Sequence, residues 1–234
     1  MNIKKIANLY QITVLPTIMP VNCFIYEEKD EIILIDAGLP MSKKIICKVI
    51  NQIGKPLTKI ILTHAHDDHV GSLDKIKEMF PDAILYISKR DARLLKGDKT
   101  LDESETPLKI KGGVPKNIKS IPDILVVEGD KIGNLCVIET KGHTPGSISL
   151  YCPIHKLMIV GDLMQNVTNL TLASEFKWRF PFPYLATWNK DFILQSAKKI
   201  MNYDMEYLFV GHGNYIKNPK EELRKEIEKN EKKY

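Results

Sequence analysis

The chain has 234 residues, of which 44% are hydrophobic, enough for one globular domain with a sizeable core. Its 34 basic and 29 acidic residues leave a net charge of +5, and the two signs are interleaved, so composition favours no nucleic-acid partner. No apolar run approaches the roughly 20 residues of a membrane span, and the four cysteines lack Cys-x-x-Cys spacing. We therefore expect reduced thiols, no membrane association and a cytoplasmic location.

The first half of the chain alternates short strands and helices. After a first strand at the N-terminus, segments rich in Ile, Val, Leu and aromatics and bounded by Pro, Asn or Gly predict further strands. Ser42 is the expected N-cap of a helix that Gly54 would end, and Ser88 is the expected cap of another. The predicted strands cover 9–15, 21–27, 31–36, 59–62 and 83–87, and the predicted helices cover 43–53, 68–79 and a short segment ending near Gly97.

The second half begins with residues 98–122, which are polar, contain several prolines and glycines, and predict a loop or lid insertion. Two groups of strands, each accompanied by helices, then predict an α/β protein in which two sheets pack together with helices outside, within a single domain spanning 1–234. The predicted strands here cover 123–127, 134–139, 147–152, 156–160 and 206–210, and the predicted helices cover 190–202 and 219–234.

Three histidines, His64, His66 and His69, directly follow the predicted strand 59–62. Residues two apart do not share a helix face, so His64 and His66 converge only if they lie on a loop. Loops at strand ends position functional groups, imidazole is a common zinc ligand, and Asp68 adds an oxygen donor. The segment therefore predicts a metal site, with a solvated, histidine-rich loop as the alternative.

The segment His64-Ala65-His66-Asp67-Asp68-His69 resembles the His-x-His-x-Asp-His signature of the metallo-β-lactamase superfamily. Three later motifs match that family in order. They are Gly142-His143-Thr144-Pro145-Gly146, Val160-Gly161-Asp162 and Val210-Gly211-His212-Gly213. The resemblance spans the chain from about residue 9 to residue 219 and implies a four-layer αβ/βα sandwich with a metal-dependent hydrolase activity.

The resemblance also implies two divalent cations, with zinc expected and iron or manganese as alternatives. Asp162 would bridge the two cations and, with Asp68, would be a catalytic residue. Asp67 stands at a variable position of the signature and is not an expected ligand. The implied ligands of the first cation are His64, His66 and His143, and those of the second are Asp68, His69 and His212.

Two further residues are candidates for supporting roles. Asp36, in Leu34-Ile35-Asp36-Ala37-Gly38, matches a family position beside the site and would accept the second N–H of a ligand histidine, or else only cap a turn. Tyr184 ends the aromatic stretch 176–184, which would form an apolar lip with the Tyr184 hydroxyl bonded to a substrate carbonyl. Simple packing of the aromatics onto the fold is the competing interpretation.

In such a centre a metal-bound hydroxide attacks the substrate, because two cations can lower the pKa of a shared water to roughly 7. Zinc β-lactamases generally lack the bridging aspartate that Asp162 supplies, so the resemblance is closer to glyoxalase II and the lactonases. A small-molecule thioester, ester or lactone is therefore the expected substrate. Only 22 residues follow His212, too few for a glutathione-binding helical domain, and 98–122 is too short for a nuclease insertion.

Other functions are compatible with the same motifs. The alternative from another reaction class is a mononuclear iron persulfide dioxygenase. A β-lactamase or phosphodiesterase of the same fold, and a scaffold without turnover, are less favoured.

Overall fold

The structure is a computed structural model that describes residues 1–232. Two units make up the chain: the first contains Met1–Gly97 and Gly113–Val126, and the second contains Asp98–Gly112 and the residues from Val127 onward. The segment 98–122 contains neither helix nor strand, as predicted, and is divided between the two units. No helix within the described residues is long and apolar enough to cross a membrane.

The first unit is built on one sheet of seven strands in sequence order: β1 (Asn2–Ile6), β2 (Leu9–Val14), β3 (Val21–Glu27), β4 (Ile32–Ile35), β5 (Leu57–Ile61), β6 (Ile84–Ser88) and β7 (Ile124–Val126). The first four strands are antiparallel, and β4 to β7 are parallel. Because Ile35 pairs with Ile61, the carboxyl ends of β4 and β5 lie side by side. Residues that follow these two strands are therefore neighbours.

The helices of this unit are α1 (Lys43–Ile53), α2 (Asp67–Val70), α3 (Leu73–Met79) and α4 (Asp91–Leu95). Apolar residues of α1 recur at helical spacing and are buried, and the N–H of Gly54 bonds to the Ile50 carbonyl at its end, as predicted. The Ser88 hydroxyl accepts from the N–H of Asp91 at 3.1 Å, but the N-cap position of α4 is occupied by Arg90 rather than by Ser88 as predicted.

Two further predictions for these helices are wrong. Ser42 does not cap α1: its backbone is already helical (φ −67°, ψ −25°), whereas a capping serine needs an extended backbone. The helix predicted over 68–79 is broken, because the N–H of Gly71 donates to the Gly38 carbonyl at 2.7 Å and leaves the helical ladder. Gly71 also packs tightly on the preceding segment, since a Cβ there would lie 2.6 Å from Pro40 Cδ.

The second unit contains a six-stranded and a two-stranded sheet. In chain order its strands are β8 (Lys131–Ile132), β9 (Leu135–Glu139), β10 (Ile148–Cys152), β11 (Leu157–Ile159), β12 (Met164–Gln165), β13 (Thr171–Leu172), β14 (Tyr207–Phe209) and β15 (Ile216–Lys217). The larger sheet has the order β15-β14-β11-β10-β9-β8, and β12 pairs with β13. Its one parallel pair within the described residues is β11 with β14.

Three helices accompany these sheets: α5 (Phe182–Ala186), α6 (Lys190–Ile200) and α7 (Lys220–Glu231). The apolar faces of α6 and α7 meet in one core that includes Ile193, Leu223 and strand residue Leu208. Asn189 caps α6 by accepting from the N–H groups of Asp191 and Phe192. The helix predicted over 219–234 is α7, and the last two residues of that prediction lie outside the described chain.

Candidate metal centre

In the first unit, the predicted donors lie on the loop between β5 and α2 and on α2 itself. His64 and His66 come from the loop, and their ring centroids are 4.9 Å apart. His69 is on α2, with its ring centroid 4.1 Å from that of His64. Asp68 Oδ2 lies 3.9 Å from His69 Nε2. All three histidines are buried and Asp68 is half-buried, so the sequence segment forms a compact histidine–aspartate cluster.

Asp36 lies at the end of β4 and fixes two of these histidines. Its carboxylate accepts from the Thr63 N–H and the Thr63 hydroxyl, both at 2.8 Å, and from His69 Nδ1, also at 2.8 Å. The Thr63 oxygen lies 3.1 Å from His64 Nδ1 and can accept that proton, because the Thr63 hydroxyl hydrogen is directed to Asp36. This network assigns the proton of both imidazoles to Nδ1 and leaves Nε2 as the donor atom for a metal.

The loop that carries His64 and His66 is held by another buried carboxylate. Asp91, the first residue of α4, accepts from the Ala65 N–H at 3.0 Å and is fully buried. Because Ala65 separates the two histidines, this bond fixes the backbone that both extend from. No sequence motif marks this role, since Asp91 is 26 residues from Ala65 and lies on α4.

In the second unit, the register of the parallel pair β11–β14 brings two donors together. Ile159 pairs with Phe209, and each is followed by a matching tripeptide, Val160-Gly161-Asp162 or Val210-Gly211-His212. The two tripeptides remain side by side, because the Gly211 N–H donates to the Gly161 carbonyl at 2.8 Å. As a result His212 Nε2 lies 3.0 Å from Asp162 Oδ2.

His143 reaches the same carboxylate from the turn after β9. Its Nδ1 is 3.1 Å from the hydroxyl of Thr187, and that hydroxyl donates to the Pro183 carbonyl at 2.7 Å, so the Thr187 oxygen is the acceptor. The proton of His143 is thereby assigned to Nδ1 as well. Its Nε2 lies 3.4 Å from Asp162 Oδ2, and both residues are buried.

The contact between Nε2 of His143 and Oδ2 of Asp162 fits a bound cation. A bare imidazole nitrogen and a carboxylate oxygen are both acceptors, and they repel each other at 3.4 Å unless a positive charge lies close to both. Imidazole and carboxylate together are ligands for zinc, iron and manganese. The donor set in each unit therefore fits a divalent metal.

Tyr184 of the aromatic stretch 176–184 lies beside Lys190. Tyr184 is half-buried, and the Lys190 ammonium lies 3.8 Å from the centre of its ring. Hydrogen bonding from Lys190 lowers the pKa of Tyr184 below its usual range. The ring of this stretch that contacts a predicted donor is Phe180, whose centroid is 5.0 Å from that of His212. Sequence reasoning did not distinguish Phe180 from its neighbours.

Comparison with known proteins agrees with this geometry. The model of the metallo-beta-lactamase superfamily matches residues 16–212, which is most of the chain. The chain belongs to this superfamily, and the predicted fold is confirmed. Family membership and the buried histidine–aspartate cluster together imply divalent metal cations.

Relatives are similar along nearly the whole chain. An uncharacterized protein of Bacillus subtilis strain 168, YobT, is 44% identical over 229 residues, which is 98% of both chains. The probable metallo-hydrolase YflN of the same organism is 29% identical over 226 residues, covering 89% of this chain and 81% of that protein. Among solved structures, TTHA1623 in a di-iron-bound form has a TM-score of 0.65 and is 24% identical, covering 91% of this chain and 96% of that one.

Proposed function

We propose that the chain is a dinuclear metal-dependent hydrolase that cleaves a thioester, ester or lactone. The observation that carries the proposal is that Oδ2 of Asp162 lies 3.4 Å from Nε2 of His143 and 3.0 Å from Nε2 of His212. A carboxylate oxygen that two imidazoles approach is the arrangement expected of a ligand that two cations would share.

The ligand sets follow the superfamily pattern. The first cation would be held by His64, His66 and His143, and the second by Asp68, His69 and His212, with Asp162 bridging. When bound, two such cations supply a nucleophile at neutral pH by lowering the pKa of a shared water to roughly 7, and they stabilise the negative charge that develops on the attacked oxygen. Zinc is the proposed metal.

The chain's own residues would orient this chemistry. Thr63, Asp36 and Thr187 each engage an Nδ1 atom, and so hold the Nε2 atoms of three histidines in fixed directions. Asp162 is the proposed acceptor of the proton released when water attacks, because its carboxylate contacts two of the histidines and its side chain is only 4% exposed. The second proposed catalytic carboxylate, Asp68, remains 30% exposed and so is accessible to a substrate.

A carbonyl substrate is preferred for two reasons. Asp162 is the residue that zinc β-lactamases generally lack, so the donor set favours the glyoxalase II-like and lactonase-like branch over β-lactam hydrolysis. Segment 98–122 is also short compared with the insertions of nucleases in this fold. The name given to YflN, a probable metallo-hydrolase, agrees with hydrolysis in general and specifies no substrate.

A substrate panel on the metal-loaded protein tests the proposal. The panel contains thioesters, lactones, a β-lactam and a phosphodiester, with the Asp162→Ala variant as the blank. We expect about two zinc-like ions per chain and turnover of a thioester, ester or lactone that is lost in the variant. Cleavage of the phosphodiester alone would contradict the carbonyl substrate. One iron per chain with oxygen consumption would instead identify a persulfide dioxygenase.

A further inference from the structure

Residues 113–120, here called the strap, are fastened at both ends to the helices that follow the histidine loop. At one end the Asp67 N–H donates to the Gly113 carbonyl at 2.7 Å. At the other end the Asp74 carboxylate accepts from the N–H of Lys119 at 3.0 Å, and from the N–H and hydroxyl of Ser120 at 2.8 and 2.6 Å. Burial raises the pKa of Asp74, but the bonds from Ser120 and Lys119 outweigh it and leave this pKa below its usual range.

Between these two attachments the strap forms one wall of a cleft of about 500 Å³ in the first unit. The opposite walls come from the segment after β4 and from α2 and α3. Asp68, a proposed metal ligand, lies on the lining, so the cleft opens at the proposed centre. A volume of this size suits part of a small molecule. The apolar lining is Leu39, Pro40, Pro115 and Ile118.

The charged groups on the lining are three aspartates and two lysines. The carboxylate of Asp74 is hydrogen-bonded to the strap, and Asp68 is a proposed metal ligand. Asp67 is exposed beside the strap, and its Oδ2 would be 2.8 Å from a Cβ at Gly113. Lys75 of α3 and Lys116 of the strap are exposed and face the cleft from two sides. Asp67 and the two lysines are therefore the charged groups left to meet a ligand, so positive charge is in excess at the edge of the apolar wall.

We propose that this cleft is the subsite for the part of the substrate that extends away from the scissile carbonyl, and that this part is a short carbon chain ending in an anionic group. The apolar wall contacts the carbon chain, and Lys75 and Lys116 bind the anion. The inference rests on the proposed function, because it takes Asp68 as part of the metal centre. It adds the substrate class: an anionic thioester, ester or lactone.

Two matched substrate pairs test the subsite on the metal-loaded protein. The first places the charge on the acyl group: the succinyl and butyryl thioesters of N-acetylcysteamine. The second places it on the leaving group: the butyryl thioesters of 3-mercaptopropionate and propanethiol. We expect kcat/KM to favour the anionic member of one pair by about fivefold or more, mainly through KM, because a partly exposed ion pair contributes about 1 kcal/mol.

The variant Lys75→Gln/Lys116→Gln should abolish that preference by raising KM for the anionic substrate. Lys48→Gln, on the exposed face of α1 in the same unit, is the matched control and should retain it. Equal rates within both pairs, or a preference that survives in the double variant, would overturn the subsite.

A binding measurement separates this inference from the proposed function. Succinamate and butyramide are amides of equal length, and their affinities can be compared by ligand-observed NMR without turnover. We expect tighter binding of succinamate in the wild type and not in the double variant, even if no thioester is hydrolysed. Selective binding of succinamate without hydrolysis would contradict the proposed reaction and support the proposed subsite. Equal binding of both amides by the wild type, or tighter succinamate binding that the double variant retains, would overturn the subsite alone.

Discussion

Asp36 Oδ2 lies 2.8 Å from Nδ1 of His69, and both side chains are fully buried. The same carboxylate binds the N–H and hydroxyl of Thr63, the residue just before the histidine loop. Asp36 also has a left-handed backbone, with φ of +58°. One carboxylate thus sets both the backbone of the loop and the donor atom of a histidine.

Asp36→Asn should therefore weaken metal binding. Asparagine tolerates the left-handed backbone, but it loses one acceptor oxygen and the charge that supports the Nδ1 proton of His69. We expect an about 10- to 100-fold loss of metal affinity, measured by competition with a chromogenic chelator. Asp74→Asn makes the same change at a carboxylate that no histidine contacts, and it should retain the wild-type affinity. An unchanged affinity in Asp36→Asn would remove the orienting role of Asp36.

Gly142 controls the turn that presents His143. Its φ is +139°, and a Cβ there would lie 2.6 Å from the backbone nitrogen of Ile193 in α6. Gly142→Ala should lower the free energy of unfolding by about 2–4 kcal/mol in urea, because both strain and a backbone clash are introduced.

Gly129→Ala is the control for that experiment. Gly129 also has a positive φ, +87°, but nothing lies within 4 Å of its Cβ position. Backbone strain alone should lower the free energy of unfolding of Gly129→Ala by about 1 kcal/mol. An equal decrease in the free energy of unfolding of the two variants would show that the clash with α6 does not destabilise Gly142→Ala.

Glu27 should make stability depend on pH. Lys55 and Lys5 donate to its carboxylate at 2.8 and 2.9 Å, and these bonds lower the pKa of Glu27 from 4.5 to about 2. A carboxyl whose pKa falls on folding stabilises the protein above its unfolded pKa and loses that contribution as the pH drops towards the folded pKa. The stabilisation should therefore be complete above about pH 5 and disappear near pH 2.

The measurement is urea unfolding of the wild type and Glu27→Gln at several pH values. The variant should be less stable by about 1–2 kcal/mol at pH 7, and the difference should shrink as the pH falls below 4.5. Glu78→Gln, an exposed residue of α3, should show no such trend. A difference that is constant from pH 7 to pH 3 would contradict the assignment.

Tyr184→Phe should leave kcat within about twofold of the wild type. The Lys190 ammonium lies over the Tyr184 ring at 3.8 Å, which favours packing of this ring over contact with a substrate carbonyl. The test is steady-state kinetics on whichever substrate the panel identifies. A fall in kcat of more than tenfold would restore the substrate-binding role for Tyr184.

The sequence was most informative where structure is local. A short apolar run followed by closely spaced histidines predicted β5 and a loop of donors, because a strand end and an i, i+2 spacing are read from adjacent residues. The longer strands of the two larger sheets were predicted for the same reason, whereas β8 and β15 were not. Two-residue strands such as β12 and β13 were missed, because so short a segment carries no periodicity.

The features that could not be predicted depend on contacts between residues that are far apart in the sequence. The break between α2 and α3 arises from the Gly38 carbonyl, and the position of Ala65 depends on Asp91. Thr187 contacts His143 across 44 residues with no motif to mark it. These partners become visible only when the fold brings the segments together. Apart from Asp36, the supporting residues therefore needed the structure, whereas the candidate donors were marked by their motifs.

The pairing of β11 with β14 has a kinetic consequence. Asp162 and His212 are 50 residues apart in sequence, yet their contact follows from one short parallel ladder. Closing so long a loop is slow, and its entropy cost is recovered only after the strands align. We therefore expect the carboxylate and imidazole to become neighbours only once this ladder has formed. Capture of a metal by this pair would then report that β11 and β14 are aligned.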